Sequence, residues 1–154
     1  MRSSVLSVLV VILFGCDSNR IFEDNKDFQK KSWAVSDTVR FEFQIQDEGL
    51  FNVQCDIRNT LDYPYSRIFV NYTLEDSTHK ILATKLVAKY LFDVKTGEPN
   101  GDSSLGDIYD HRFTLESRKF ATGKYVVKLQ QFMRTDTLQG ILAAGVRVEA
   151  IDSK

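Results

Sequence analysis

The chain has 154 residues, with 20 lysines and arginines against 21 aspartates and glutamates, so its net charge at pH 7 is −1. A near-neutral chain without a long basic stripe lacks the clustered cations with which proteins bind nucleic acid. Two prolines and eight glycines exclude a low-complexity protein, and this length predicts one domain with a core of its own.

The first element in chain order is an apolar run from Val5 to Phe14, which follows Arg2 and ends at Gly15-Cys16. A charged start, an apolar stretch of about 7 to 15 residues and a small residue at the cut are typical of a secretory signal peptide. The run has ten residues, whereas a helix that spans a bilayer needs about 20.

The position of Cys16 makes this signal more specific. A cysteine directly after a small residue indicates a bacterial lipoprotein, in which the thiol takes a diacylglycerol and the peptide is cut before it. We therefore expect residues 1–15 to be a lipoprotein signal peptide and Cys16 to be the lipidated first residue, held on a membrane by its acyl chains. An ordinary signal peptide, with Cys16 incidental, is the alternative.

Residues 16–32 are mostly polar and predict a lipidated N-terminus with a short tether, followed by one domain over residues 33–154. In that domain apolar and polar residues alternate with a period of two, which is the mark of half-buried strands. The run 80–93 also fits a helix, but its β-rich neighbours favour a strand. Residues 94–106 predict a long loop, and 137–144 predict a connection with one helical turn at most. The alternation predicts about seven strands, around 39–45, 50–58, 68–74, 80–93, 108–115, 125–134 and 145–151.

These strands predict an all-β fold, a two-sheet antiparallel β-sandwich, because two facing sheets bury one-sided apolar strands economically. The sandwich is immunoglobulin-like at most, since the Cys…Trp…Cys pattern of true immunoglobulin domains is absent; an open barrel is the alternative. Cys55 stands in an apolar row of the second strand. Once Cys16 carries lipid, Cys55 has no disulfide partner, so we expect a buried thiol.

The chain carries few groups that could perform catalysis. It has no Gly-x-Ser-x-Gly elbow, no Gly-rich phosphate loop and no zinc-ligand spacing, and it has two histidines in all. We therefore expect neither an enzyme nor a cofactor.

Residues 93–111 leave one alternative open. Asp107, Asp110 and His111 lie close in sequence, but a metal site usually needs three or four convergent ligands. The run from Asp93 to Asp102 is similar to a calcium loop, yet it lacks acids where an EF-hand needs them. The alternative is a lipoprotein that binds a glycan or a metal through this region, and it predicts a concave, aromatic-lined pocket there.

The lipoprotein signal and the seven short segments that follow it together resemble the GldH family, the gliding-motility lipoproteins of Bacteroidota, over nearly the whole chain. The resemblance implies a non-enzymatic, lipid-anchored protein of the gliding-motility machinery, linked to type IX secretion and to movement of surface adhesins. Its partners would be the membrane and other motility or secretion proteins. We expect the lipid anchor to hold the protein on the periplasmic face of the outer membrane. The segments are Arg58-Asn59, Tyr63-Pro64-Tyr65-Ser66, Gly106-Asp107-Ile108-Tyr109-Asp110, Gly123-Lys124-Tyr125, Gln131-Phe132-Met133-Arg134, Leu138-Gln139-Gly140-Ile141 and Gly145-Val146-Arg147-Val148-Glu149.

The aromatic and charged residues of these segments are candidates for a partner surface, because tyrosine and arginine are enriched in interfaces. A rigid turn at 63–66, and hydrogen bonding of Gln131 and Arg134 on a sheet face, are the purely structural alternatives. The candidate partner residues are Tyr63, Pro64, Tyr65, Asp107, Tyr109 and Arg134.

Overall fold

The computed structural model describes residues 19–151, so the predicted signal peptide and Cys16 lie outside the described residues. Within this range there is no α-helix, and a single turn of 3-10 helix, Gln29–Lys31, follows the first strand. No helix in residues 19–151 is long and apolar enough to cross a membrane. The strands are β1 (Arg20–Asp27), β2 (Ser32–Ala34), β3 (Val39–Ile45), β4 (Gly49–Thr60), β5 (Arg67–Asp76), β6 (Ile81–Tyr90), β7 (Asp102–Leu105), β8 (Ile108–Phe120), β9 (Gly123–Gln131), β10 (Thr137–Gln139) and β11 (Ile141–Ala150).

Most of these strands form two antiparallel sheets. The larger sheet has the order β1-β11-β4-β8-β7, and the smaller one has the order β3-β9-β5-β6, while β10 and β2 form a separate pair. The all-β prediction with antiparallel sheets is confirmed, and so is a strand at 80–93. The immunoglobulin-like arrangement stays a prediction.

The two sheets share one apolar core. Phe120 of β8 meets Tyr125 of β9 edge-on with 4.8 Å between ring centres, and Phe43 of β3 stacks on Tyr125 at 5.8 Å. These rings join strands of both sheets, and their apolar area removed from water stabilises the fold by roughly 25 cal/mol per Å². Cys55 lies in this core fully buried, as predicted, and burial raises the pKa of its thiol well above the ordinary value.

The prediction of a tether over residues 16–32 is wrong for the part that the structure describes. Residues 20–27 form β1, which pairs with β11 from Arg20 opposite Glu149 to Asp27 opposite Ala143. Phe22 lies 5.8 Å from Phe43, measured between ring centres. Backbone pairing holds this segment to the sheet although most of its side chains are exposed.

Three further segments also differ from prediction, and together with β1 they raise the number of strands from about seven to eleven within residues 19–151. Residues 102–105, predicted as loop, form β7 on the edge of the larger sheet. Residues 137–144, predicted as a connection, contain β10 and the start of β11. Residues 32–34 form β2, where Trp33 is fully buried and stacks on Phe28 with 5.0 Å between ring centres. Backbone hydrogen bonds, rather than alternating side chains, define these short strands.

Strand register gives the domain two distinct ends. The six-residue connection from Thr60 to Arg67 places the end of β4 beside the start of β5, and we call this the Thr60 end. The opposite end, where Gly49 pairs with Phe120, is called the Gly49 end. β1 enters the sheet at the Gly49 end, because Arg20 pairs with Glu149 there.

Candidate functional site

A cluster of large apolar side chains, four of them exposed and two half-buried, lies on the outer face of the smaller sheet at the Thr60 end. Within the β5–β6 ladder, Phe69 is opposite Ala88 and Arg67 is opposite Tyr90. Phe132 lies on the other side of β5, since its amide donates to the Phe69 carbonyl at 2.8 Å. Soluble proteins rarely expose a contiguous apolar surface without a use for it. We call this surface the aromatic patch, and its members are Tyr65, Phe69, Leu86, Tyr90, Phe132 and Met133.

The patch contains a hollow of about 460 Å³. Arg67 forms part of its wall: the guanidinium lies 4.5 Å from the centre of the Phe69 ring and 5.3 Å from that of Tyr90. A cation above two aromatic faces orders all three side chains, so the wall is formed before any partner arrives. The lining residues are Pro64, Tyr65, Ser66, Arg67, Phe69, Tyr90, Val94 and Met133.

The loop between β4 and β5 carries the first three predicted partner residues. Two of them lie on the surface and one is buried. Pro64 and Tyr65 are exposed and line the hollow. Tyr63 is only 4% exposed; its hydroxyl donates to the Arg67 carbonyl at 3.1 Å and its ring stacks on Phe92. Burial raises the pKa of the Tyr63 phenol. Tyr63 therefore supports the surface from beneath rather than belonging to it.

A close backbone contact fixes the position of this loop. Gly140, at the turn between β10 and β11, has a φ of +78°, and a Cβ there would lie 2.6 Å from the backbone nitrogen and Cα of Tyr63. Glycine alone adopts this backbone region without strain and leaves room for the contact. The Leu138–Ile141 segment thus acts on the patch through Tyr63.

Gln131 holds the turn that carries Phe132 and Met133. It is fully buried; its amide group donates to the Thr135 carbonyl at 3.0 Å and accepts from the Met133 amide at 2.8 Å. Hydrogen bonding by Gln131 was one of the two predicted alternatives, but its bonds go to the turn rather than to a sheet face. Arg134, on the same turn, is exposed.

The other predicted partner residues lie on the larger sheet. Asp107 is exposed in the turn between β7 and β8, and Tyr109 is half-buried opposite Asn59. Both reach the Thr60 end, but neither lines the hollow. Arg67, Phe69 and Tyr90 were not predicted as site residues, although Tyr90 lies in the run 80–93 for which a strand was predicted.

A second, larger hollow of about 630 Å³ lies on the outer face of the larger sheet. Asp102, Asp110 and His111 from the 93–111 region contribute to it. The alternative of a glycan- or metal-binding lipoprotein predicts an aromatic-lined pocket in this region, but mainly charged side chains line the hollow. Its lining residues are Glu23, Asp24, Asn25, Asp56, Arg58, Asp102, Asp110, His111, Arg112, Ala143 and Gly145.

The guanidinium groups at this hollow are already occupied by carboxylates. Arg58 bonds Asp110 at 2.7 Å, and Arg112 bonds both Asp56 and Glu23 at 2.6 Å. The Asp56 carboxylate raises the pKa of Arg112, which stays fully charged. In residues 19–151 no group of three or more His, Cys, Asp or Glu is placed to hold a metal ion. The aromatic patch is thus the stronger candidate site.

A family model and two relatives match this chain over nearly its full length. The model of the GldH lipoprotein family matches residues 20–148. The chain is 28% identical over 170 residues to the "gliding motility lipoprotein GldH homolog" of Christiangramia forsetii, covering 99% of this chain and 100% of that protein. It is 23% identical over 162 residues to "gliding motility lipoprotein GldH" of Flavobacterium johnsoniae, covering 98% of each.

Similarity to solved structures is weak. Dimeric latent PorU from Porphyromonas gingivalis matches 86% of this chain and 13% of its own, with 10% identity and a TM-score of 0.36. A family 35 carbohydrate-binding module from Clostridium thermocellum matches 75% of this chain and 95% of its own, with 8% identity and a TM-score of 0.36. Scores this low carry no argument about function.

Proposed function

This chain belongs to the GldH lipoprotein family, and we propose that it is a non-enzymatic, lipid-anchored envelope protein of the gliding-motility machinery that works by binding partner proteins. The role in motility is supported by the names of two relatives that match over almost their whole length. The finer proposal, a link to type IX secretion and to movement of surface adhesins, follows from the family resemblance.

The aromatic patch is the observation that carries the proposal of partner binding. Tyr65 is 43% exposed, Tyr90 46% and Phe132 57%, and Arg67 holds the Tyr90 ring in place. Tyrosine and arginine supply a large share of binding free energy in interfaces when a partner removes them from water. Side chains ordered before binding also lose less conformational entropy on association.

We propose that Cys16 anchors the protein through its acyl chains to the outer membrane, on the periplasmic face. Two or more chains on one residue give stable anchoring, since each buried methylene contributes about 0.8 kcal/mol. The lipoprotein names of both relatives support this part of the proposal.

A complementation experiment tests the proposal. A strain of the source organism that lacks the gene is scored for colony spreading and for movement of surface adhesins. It then receives the wild-type gene, Cys16→Ala, or the double variant Tyr65→Ser/Tyr90→Ser. We expect the wild type to restore movement, and both variants to fail while the protein remains present by immunoblot.

A matched control separates the patch from exposed apolar residues in general. Leu50 is 47% exposed, almost the same as Tyr90, but lies at the Gly49 end. Leu50→Ser should restore movement fully. Normal movement with the double tyrosine variant would refute the role of the patch, and a deletion strain that moves normally would refute the role in motility.

A further inference from the structure

Strand β6 is an open edge of the smaller sheet. It pairs with β5 on one side, and no strand within residues 19–151 pairs with its other side. One bond shows which residues of β6 have their backbone groups directed at β5. The Leu91 amide donates to the Ser66 carbonyl at 2.9 Å, so Leu91 belongs to a hydrogen-bonded pair. Residues in hydrogen-bonded pairs alternate with residues whose backbone groups point away.

This alternation identifies the free backbone groups. Counting back from Leu91, the residues bonded to β5 are Lys89, Val87 and Lys85. The bond from the Phe132 amide to the Phe69 carbonyl agrees, because Phe69 bonds β9 and not β6. The N–H and C=O groups that point outward therefore belong to Thr84, Leu86, Ala88 and Tyr90.

The protection of this edge strand is partial. Native edges are blunted by proline, by bulges or by charged side chains, inward-pointing ones included. Ile81–Tyr90 contains no proline, and the register shift in its pairing with β5 lies at the start of the strand, where Leu82 is the extra residue between Ile81 and Ala83. Its lysines turn toward the larger sheet: Lys85 pairs with Glu116 at 3.3 Å, and Lys89 lies 6.0 Å from the centre of the Phe113 ring. On the outer face, Leu86, Ala88 and Tyr90 stay exposed, and the first and last of these belong to the aromatic patch.

The edge has one sign of charge. From Ser77 to Phe92 the sequence has three lysines and one histidine, and no aspartate or glutamate. Glu116 is shared, because Arg118 approaches it at 3.3 Å as Lys85 does. No carboxylate in the described part of the chain forms an ion pair with Lys89. An incoming strand with acidic side chains on this side would complement the surplus of positive charge.

We infer that β6 takes up an extended segment of a partner protein as an added β-strand. Acidic side chains of that segment face Lys85 and Lys89, and alternating apolar ones lie beside Leu86, Ala88 and Tyr90. This mode of recognition uses backbone hydrogen bonds for affinity and alternate side chains for specificity. A second copy of the chain is the poorer occupant, since two β6 strands would bring like charges together. The inference rests on the proposed partner contact and names its form.

Proline substitution tests the inference. Ala88→Pro removes one outward N–H and leaves the β5–β6 ladder intact, because proline is tolerated where an edge N–H faces solvent. Ala88→Val is the matched control, since it keeps the N–H and suits a strand. The full chain is purified in detergent, and its thermal unfolding shows that both variants are folded.

The probe is a ten-residue, end-blocked peptide in which glutamate alternates with valine and tyrosine. Its matched control has lysine in place of each glutamate. We expect fluorescence anisotropy to show binding of the glutamate peptide to the wild type and to Ala88→Val, and binding about tenfold weaker for Ala88→Pro and for the lysine peptide. Amide exchange should slow at Thr84, Leu86, Ala88 and Tyr90.

The opposite outcomes overturn the inference. They are no slowing of exchange at those four amides, equal binding of the two peptides, or equal binding by the two Ala88 variants. Self-association that Ala88→Pro abolishes would assign the edge to a second copy instead. Failure here together with loss of movement in the double tyrosine variant removes the added strand but keeps the proposed function. Binding of the glutamate peptide together with normal movement in the double tyrosine variant would keep the added strand and remove the proposed function of the patch.

Discussion

Arg67 of β5 holds Tyr90 of β6 in two ways at once. Its Nη1 donates to the Tyr90 hydroxyl at 3.3 Å, and its guanidinium lies 5.3 Å from the centre of the same ring. Together these contacts set the angle at which the ring borders the hollow.

Arg67→Ala should therefore impair movement nearly as strongly as the double tyrosine variant, at little cost to the fold. An exposed cation–π contact contributes about 0.5–1 kcal/mol, and Arg67 makes two of them, so the free energy of unfolding in urea should fall by about 1–2 kcal/mol. Arg40→Ala is the control, since Arg40 is exposed on β3 and pairs with Glu42. Normal spreading with Arg67→Ala would contradict an ordering role for this residue.

Gly140→Ala should destabilise the protein through the loop that carries Tyr63. The added Cβ meets Tyr63 backbone atoms at 2.6 Å, in addition to the left-handed φ of +78°. Gly97 is a matched control with a φ of +73° and nothing within 4 Å of a Cβ. Urea unfolding should show a loss of roughly 1–2 kcal/mol for Gly97→Ala, and a clearly larger loss for Gly140→Ala. Equal losses would mean that the close contact is relieved at no cost.

Stability should fall between about pH 6.5 and pH 4 because of His111. The imidazole is 3% exposed, neither ring nitrogen has a hydrogen-bond partner, and burial lowers its pKa to about 4. The unfolded chain, whose histidine pKa is near 6.5, binds the proton first. The free energy of unfolding therefore decreases as the pH drops through this window, by up to about 3 kcal/mol.

His111→Leu should remove most of that slope in urea unfolding measured at a series of pH values. The control is His79→Gln. The His79 side chain is 76% exposed, so this substitution should leave the slope in place. An unchanged slope in His111→Leu would assign the pH dependence to other groups.

Phe28→Ala tests whether the N-terminal segment belongs to the fold. Phe28 is 8% exposed and stacks on the fully buried Trp33, so its truncation should cost about 3 kcal/mol. The control is Ile21→Ala in the same segment. Ile21 is 41% exposed, so this substitution should leave the free energy of unfolding nearly unchanged. Two neutral substitutions would indicate a tether, as the sequence alone predicted.

Sequence reasoning found the strands that bury one face and missed those that do not. In β3 every second residue is buried, from Val39 to Ile45, and that period is visible in the sequence. In β1 only Phe22 is partly buried, so the strand exists through its backbone bonds to β11, which leave no pattern of side chains. The short β2, β7 and β10 were missed for the same reason.

The candidate site was found in part, because its members are far apart in the chain. Pro64 and Tyr65 belong to a segment that the family resemblance singled out. Arg67 and Tyr90 come together through the register of β5 and β6, and a sequence of alternating residues does not determine register. Tyr63 was taken for surface, whereas the adjacent Phe92 gives it an apolar place to pack.

The entry of β1 at the Gly49 end has a mechanical consequence if Cys16 is the lipidated residue that we propose. Three residues separate Cys16 from Arg20, so the strand begins within roughly 14 Å of the acylated cysteine. The aromatic patch, at the Thr60 end, then points away from the bilayer. Tension between a partner there and the lipid would run along the strands and load the β1–β11 ladder in shear, with its hydrogen bonds sharing the force rather than breaking one by one.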